Sequence, residues 1–183
     1  MTHDDAAAEV WKRTPLARFS VYSHIQAQAV QSLSTELIHH LDCSITEGKV
    51  DGQGFQRIYG LFWLWVLGAY EITRTMSEYK KCFSGRLNDE VSSFKRSISV
   101  LRIPFAKQQF QGRDRRPISG EASVYGFDLE KKDLSFEIEG TVVWLRSLLA
   151  EFEHLMQSIE PADVLHDLRA AHQGGNSQVA PAK

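Results

Sequence analysis

Two groups of residues in this 183-residue chain have the types and spacings that chemistry requires. The first is a carboxylate set among hydrocarbons. Glu71 stands three residues after Gly68 and four after Leu67, so on a helix it shares the face of Leu64, Leu67 and Gly68. A carboxylate on an apolar face must find a donor or bind its proton more tightly, and Arg74 lies one turn on. Glu71 and Arg74 are therefore read as a buried polar cluster, serving either an active or partner-binding site or an ion pair at the edge of the core. The second group is a run of cations. Lys95, Arg96, Arg102, Lys107, Arg113, Arg115 and Arg116 are opposed over that interval only by Asp114, a local sum of +6. Guanidinium groups at this density suit bidentate contact with phosphates or with the carboxylates of an acidic protein. The stretch 151–167, with Glu151, Glu153, Glu160, Asp163 and Asp167 and no Lys or Arg, offers pairing within the molecule instead.

Other constellations are poorer. His39, His40 and Cys43 are soft ligands on neighbouring turns, but no second set at ligand spacing completes a site, so no metal is expected. No phosphate-binding glycine loop, nucleophile elbow or CxxC motif is present, and no cofactor is expected. Phe94, Phe105 and Phe110 interleave sparsely with the cations, which argues against a stacking platform for single-stranded nucleic acid.

Helices must position these groups. Thr14-Pro15 opens the first, because proline in a first turn lacks only an N–H that has no intrahelical partner. Leu16, Phe19, Tyr22, Val30, Leu33, Leu37 and Leu41 form one apolar stripe running to about Asp42. Glu47 to Gly54, polar and glycine-rich, is the connecting loop. The second helix covers Phe55 to Cys82, and its middle, Leu61 to Leu67, is apolar on every face, the mark of a helix enclosed by others. Gly68 inside it implies close approach of a neighbour. The third helix begins after Ser84-Gly85 and shows a narrow seam of Leu87, Val91, Phe94, Ile98, Leu101 and Phe105. It either ends before Pro104 or kinks there and resumes through Lys107 to Phe110.

After the basic loop 111–120 the period changes to two. Residues 122–128 and 133–139 are read as a β-hairpin, with Leu134, Phe136 and Ile138 facing the core and Ser135, Glu137 and Glu139 facing water. No third strand is evident. Gly140-Thr141 starts the fourth helix, striped with Val142, Leu145, Leu148, Leu149, Phe152, Leu155, Met156 and Ile159, and Pro161 opens a short helix over Ala162 to His172. The expected fold is mainly α: a four-helix bundle with a β-hairpin inserted between the third and fourth long helices and a short C-terminal helix. Residues 1–13 are expected to form a flexible N-terminus, 14–172 a single domain and 173–183 a disordered tail.

Composition narrows the class. Hydrophobic residues at 43% and charged residues at 24% set aside collagen-like, wholly disordered and disulfide-scaffold proteins. A net charge of −2 gives no global attraction to nucleic acid or an anionic membrane. Two cysteines suit a reducing compartment, and Asp4, Asp5 and Glu9 do not fit a secretory signal. The most apolar run, Ile58 to Ala69, is 12 residues long, where a membrane span needs about 20. A soluble, cytoplasmic protein is expected.

Arg18-Phe-Ser-Val-Tyr-Ser-His24, on a helical bundle over about residues 14–172, resembles the HEPN group of α-helical proteins. Many of that group are metal-independent ribonucleases, or inactive binding relatives, of toxin–antitoxin and phage-defence operons. The resemblance implies His24 as acid/base, Arg18 as stabiliser of a developing phosphorane charge, and a dimer that joins two copies around one cleft. In the family the signature lies in a later helix, whereas here it lies in the first. On an unbroken helix the two side chains stand about 120° apart, so convergence requires a bend.

The residues themselves favour a different reading: a non-catalytic macromolecule-binding or regulatory protein. It would dock through Arg102, Lys107, Arg113, Arg115 and Arg116, with the hairpin edge adding backbone contacts. The expected partner is a protein or a second copy of the chain, with RNA as a further candidate and no membrane. The alternatives are the HEPN-like ribonuclease and a structural homo-oligomer built on spare apolar surface of the first and fourth helices.

Overall fold

The computed structural model describes residues 13–46, 49–107, 124–138 and 140–168, with the side chains before the basic loop described as far as Phe105. The expected N-terminal and C-terminal tails fall outside these residues, apart from Arg13. The fold is mainly helical and bundle-like, with a small antiparallel sheet after the third long helix.

Helix α1 spans Pro15–Phe19 and α2 spans Val21–Ser44. The single helix expected here is thus broken. Ser20 is extended (φ −158°, ψ 122°), and its hydroxyl accepts the Ser23 N–H at 3.2 Å, so it caps a new helix instead of continuing the old one. The turn between α2 and the next helix is a minimal ribbon, β1 Ile45–Thr46 against β2 Lys49–Val50. Asp51 then caps α3, Gly52–Glu78, by accepting the N–H groups of Gln53 and Gly54 at 3.4 and 2.8 Å. Helix α4, Gly85–Lys107, runs through Pro104 without ending, so of the two sequence alternatives the helix continues.

The third long helix leads to β3 Val124–Asp128, β4 Asp133–Ile138, β5 Thr141–Trp144 and the last long helix α5, Leu145–Gln157. The hairpin lies within about two residues of its expected bounds, but it is two-thirds of a sheet. Its strand order is β3-β4-β5, all antiparallel, with Gly140 at φ 78° in the turn to β5. Residues 141–144, expected as the first turn of the last helix, are the third strand. In consequence β4 is central and closed on both faces. Leu134, Phe136 and Ile138 face the helices, while Ser135, expected to face water, is also buried, as is Asp133. Ser135 is enclosed because its register partners on either side are Gly126 and Trp144.

The core forms where α3 lies between α2 and α4, with α5 and β4 closing the end. Trp65, Phe62 and Phe136 are fully buried; Phe136 stacks on Phe62 at 4.8 Å, and Phe152 of α5 meets Trp65 edge-on at 5.6 Å. All six residues of the α4 seam are buried. A Cβ on Gly68 would come within 2.8 Å of Val30 Cγ2, the close approach of α2 that its glycine implied. The enclosure of α3 is incomplete, however. Trp63 and Leu64 are exposed, because α2, α4 and the sheet cover the rest of the helix and leave that stripe open. Trp63 still ties α3 to α4 by donating to the Phe105 carbonyl at 3.1 Å.

In place of the first turns of the short helix expected over Ala162 to His172, the described chain makes a 3₁₀ turn, Pro161–Asp163, and leaves it in an extended bridge. Val164 then bridges Phe83, and the Ser84 N–H bonds the Asp163 carbonyl at 2.9 Å. Asp163 is buried and takes hydrogen bonds from Ser84 Oγ, the Glu160 N–H and Arg86. Burial opposes its ionisation, but these three donors hold its carboxyl below the usual carboxylate range.

Candidate functional site

Glu71 and Arg74 do lie together, but not in the core. Their side chains are 47% and 41% exposed, on the stripe of α3 that no neighbour covers, so the expectation of a buried polar cluster is corrected to a surface ion network. Arg74 Nε donates to Glu71 Oε2 at 2.7 Å and a second nitrogen reaches Glu78, which together raise the guanidinium pKa, Glu71 contributing most. From α4, Arg102 joins the same network. Its Nη2 lies 3.7 Å from Glu71 Oε1 and its guanidinium stacks over the Tyr70 ring at 4.8 Å. Its Nε is buried and has no hydrogen-bond partner among the described residues.

Arg102 is therefore half-engaged within the molecule. Lys107 closes α4, but its side chain and the whole of Arg113, Arg115 and Arg116 lie outside the described residues. Two of the five residues of the expected acidic counterpart have other partners: Asp163 pairs with Arg86 of α4, while Glu153 accepts from Gln31 at 3.0 Å and Gln157 at 2.7 Å.

The Arg18–His24 pair is separated by the break at Ser20, so the chain does bend between the two. Arg18 is exposed on α1, and His24 borders a small cavity of about 110 Å³ with Arg13, Thr14, Leu16 and Met156. No hydrogen bond among the described residues joins Arg18 to His24. Cys43 Sγ lies 3.8 Å from His39 Nε2, one turn away, and among the described residues no third ligand joins them.

A larger cavity, about 570 Å³, runs between α2 and α5 and is lined by Ser34, Thr35, Ile38, Arg146, Leu149 and Glu153. Both of its charged ends have internal partners. Glu153 is held as above, and Arg146 donates to Asp42 Oδ1 at 2.5 Å and to the Lys132 carbonyl at 3.0 Å. Beside Arg146, the buried Asp133 acts as the cap of α5: its Oδ1 accepts the N–H of Arg146 at 3.0 Å and that of Leu134 at 2.8 Å. Trp144, the residue at the cap position, offers no acceptor of its own. Burial pushes the Asp133 carboxyl above its ordinary pKa, against the pull of those two hydrogen bonds.

The surface with most capacity for recognition is the sheet. Both outer strands present large side chains to solvent: Tyr125 and Phe127 on β3 (65% and 44% exposed) and Val142 and Trp144 on β5 (45% and 37%). Sequence reasoning found the first edge and missed the second. The signal was present in Thr-Val-Val-Trp, rich in β-branched and aromatic residues, but Val142 also falls three residues before Leu145 and merges with the helical stripe. Among the described residues no helix is long and apolar enough to cross a membrane. Neither a family model nor a curated protein nor a solved structure matches the chain.

Proposed function

We propose that the protein is a non-catalytic binding module that docks an acidic partner protein through its basic segment and the β3 edge. One observation carries the reading. Tyr125 and Phe127 stand exposed on an outer strand whose neighbour β4 is largely buried in the core, and in the sequence the cationic run from Lys95 to Arg116 ends seven residues before that strand. Arg102, Lys107, Arg113, Arg115 and Arg116 would steer and hold carboxylates, and the open backbone of β3 would pair with an extended segment. Arg102 supports this role through the long contact of its Nη2 with Glu71, which leaves donor capacity at the end of the guanidinium for a better acceptor. Cys43 and Cys82 are both free, which suits a reducing, cytoplasmic setting.

Replacing Arg113, Arg115 and Arg116 together by serine tests the proposal with poly-glutamate and a single-stranded RNA homopolymer as probes. The expected result is salt-sensitive binding of poly-glutamate by the wild type, weakened at least tenfold in the variant, with the melting temperature unchanged. Unaltered binding refutes it, and preference for the RNA transfers the surface to a nucleic-acid partner.

A second reading, the HEPN-like ribonuclease, has one observation in its favour: the chain bends at Ser20, between Arg18 and His24. It requires RNA cleavage without added metal, abolished by His24→Ala. RNA left intact by the purified wild type removes it.

A further inference from the structure

The β5 edge carries an inference independent of the basic segment. A groove of about 280 Å³ runs along this strand, bounded by Thr141 to Trp144 on one side, Val100 of α4 on another and Glu151 of α5. Outer strands are commonly closed to further pairing by Lys, Pro or a charge. Thr-Val-Val-Trp has none of these, and its β-branched side chains suit a strand that gains a neighbour.

The groove also contains a charge without a counterpart. Glu151 makes no hydrogen bond or ion pair with any described residue, and burial pushes its carboxyl above the ordinary range. Lys95 and Arg96, just before Ser97 on the α4 bank, form no ion pair with Glu151. Apolar side chains, a strand edge that no described strand covers and one unpaired carboxylate on the helix side of the groove together specify an occupant that is extended, apolar on the face of Val142 and Trp144 and cationic on the other.

We propose that the β5 edge binds an extended basic segment of a partner protein as a fourth strand, its apolar side chains on Val142 and Trp144 and a Lys or Arg reaching Glu151. A second copy of the chain fits less well. Pairing β5 with itself presents Thr-Val-Val-Trp, which carries no cation, and leaves the Glu151 charge unanswered.

The probe is a labelled seven-residue peptide of alternating valine and Arg or Lys, compared with its counterpart carrying Glu at the cationic positions, titrated into the full chain by fluorescence polarisation. The basic peptide is expected to saturate and to bind at least tenfold more tightly than the acidic one. Glu151→Gln should reduce that preference about fivefold. Val142→Lys, an exposed position, should abolish binding while circular dichroism and melting temperature stay as in the wild type. The triple serine variant of Arg113, Arg115 and Arg116 should bind the basic peptide as the wild type does, which separates this site from the β3 surface. Equal affinity for the two peptides, or binding indifferent to Glu151→Gln or Val142→Lys, overturns the proposal. Tighter binding by the triple variant assigns the groove to the chain's own arginines, and self-association blocked by Val142→Lys assigns it to a second copy; both also overturn it.

Discussion

Asp133→Ala should be among the most damaging single changes in the sheet, although it removes a carboxylate that burial disfavours. One oxygen of Asp133 serves two backbone donors, Leu134 N at 2.8 Å and Arg146 N at 3.0 Å, and the second starts α5. Loss of a helix cap costs about 0.5–2 kcal/mol, and a buried N–H left without an acceptor costs about 1–3 kcal/mol. The combined loss is then about 2–4 kcal/mol, or a fall in melting temperature of about 6–12 °C for a chain of this size. Asp133→Asn keeps a carbonyl acceptor without the charge, so it should fall by much less. The pH dependence has a definite sign. Because burial raises the folded-state pKa, the folded protein binds this proton more tightly than the unfolded chain does. The stability this supplies is complete below the ordinary value of 3.8 and is lost as pH rises through the raised one. Wild type should therefore lose ground to Asp133→Asn as pH is raised through that window. Thermal unfolding followed by circular dichroism from pH 4 to 7 measures all three proteins. An alanine variant as stable as wild type, or an asparagine variant as damaged as the alanine one, refutes the capping role.

Ser34→Ala should destabilise by about 1–3 kcal/mol, because Trp65 Nε1 donates to Ser34 Oγ at 2.7 Å in the core and would be left unpaired; Ser32→Ala, on the exposed face, should stay within about 0.5 kcal/mol in the same denaturant titration. Gly54→Ala drives a Cβ into Ser44 Oγ and places it 2.7 Å from Ser44 Cβ, so it should cost about 1–3 kcal/mol. Adding Ser44→Ala should recover part of that loss by removing Oγ, and Ser44→Gly should recover more, since alanine retains the Cβ. Asp163→Asn should weaken the attachment of the C-terminal turn to α4 and lower the melting temperature at pH 7. Since the Asp163 pKa is depressed, its contribution is present above its ordinary 3.8 and is lost as pH falls through the depressed value, so the gap between wild type and variant should close in acid.

Periodicity made the long elements legible because burial is what periodicity records. The α4 seam and the alternation of Leu134, Phe136 and Ile138 each point at one covered face, and all nine residues are buried. What the pattern does not record is which apolar face receives a cover. Tyr22 belongs to the α2 stripe by spacing yet is exposed, and Glu71 shares a face with Leu64 that solvent reaches. The break at Ser20 was hidden for a related reason: Leu16, Phe19 and Tyr22 keep helical spacing across a residue whose hydroxyl competes for backbone donors. β5 is too short for its own period to be told from that of α5. Of the candidate site, the β3 edge was legible from alternation, whereas the groove beside β5 depends on three elements meeting and left no local signature.

The two sheet edges owe their fixed orientation to one polar corner that no motif announced. Lys132, at φ 49° in the β3–β4 turn, donates from Nζ to the Asp42 carbonyl at 3.1 Å and offers its own carbonyl to Arg146 Nε. Arg146 in turn bonds the Asp42 carboxylate, and Asp133 caps the helix that carries Arg146. The end of α2, the tip of the hairpin and the start of α5 are thereby tied at a single point, while Phe136 anchors the middle of β4 on Phe62. A strand edge held this way is already ordered before a partner arrives, so an added segment bears most of the ordering entropy alone. Severing the corner while leaving every edge residue intact should therefore weaken docking at both edges together, a coupling that separate, independently mobile strands would not produce.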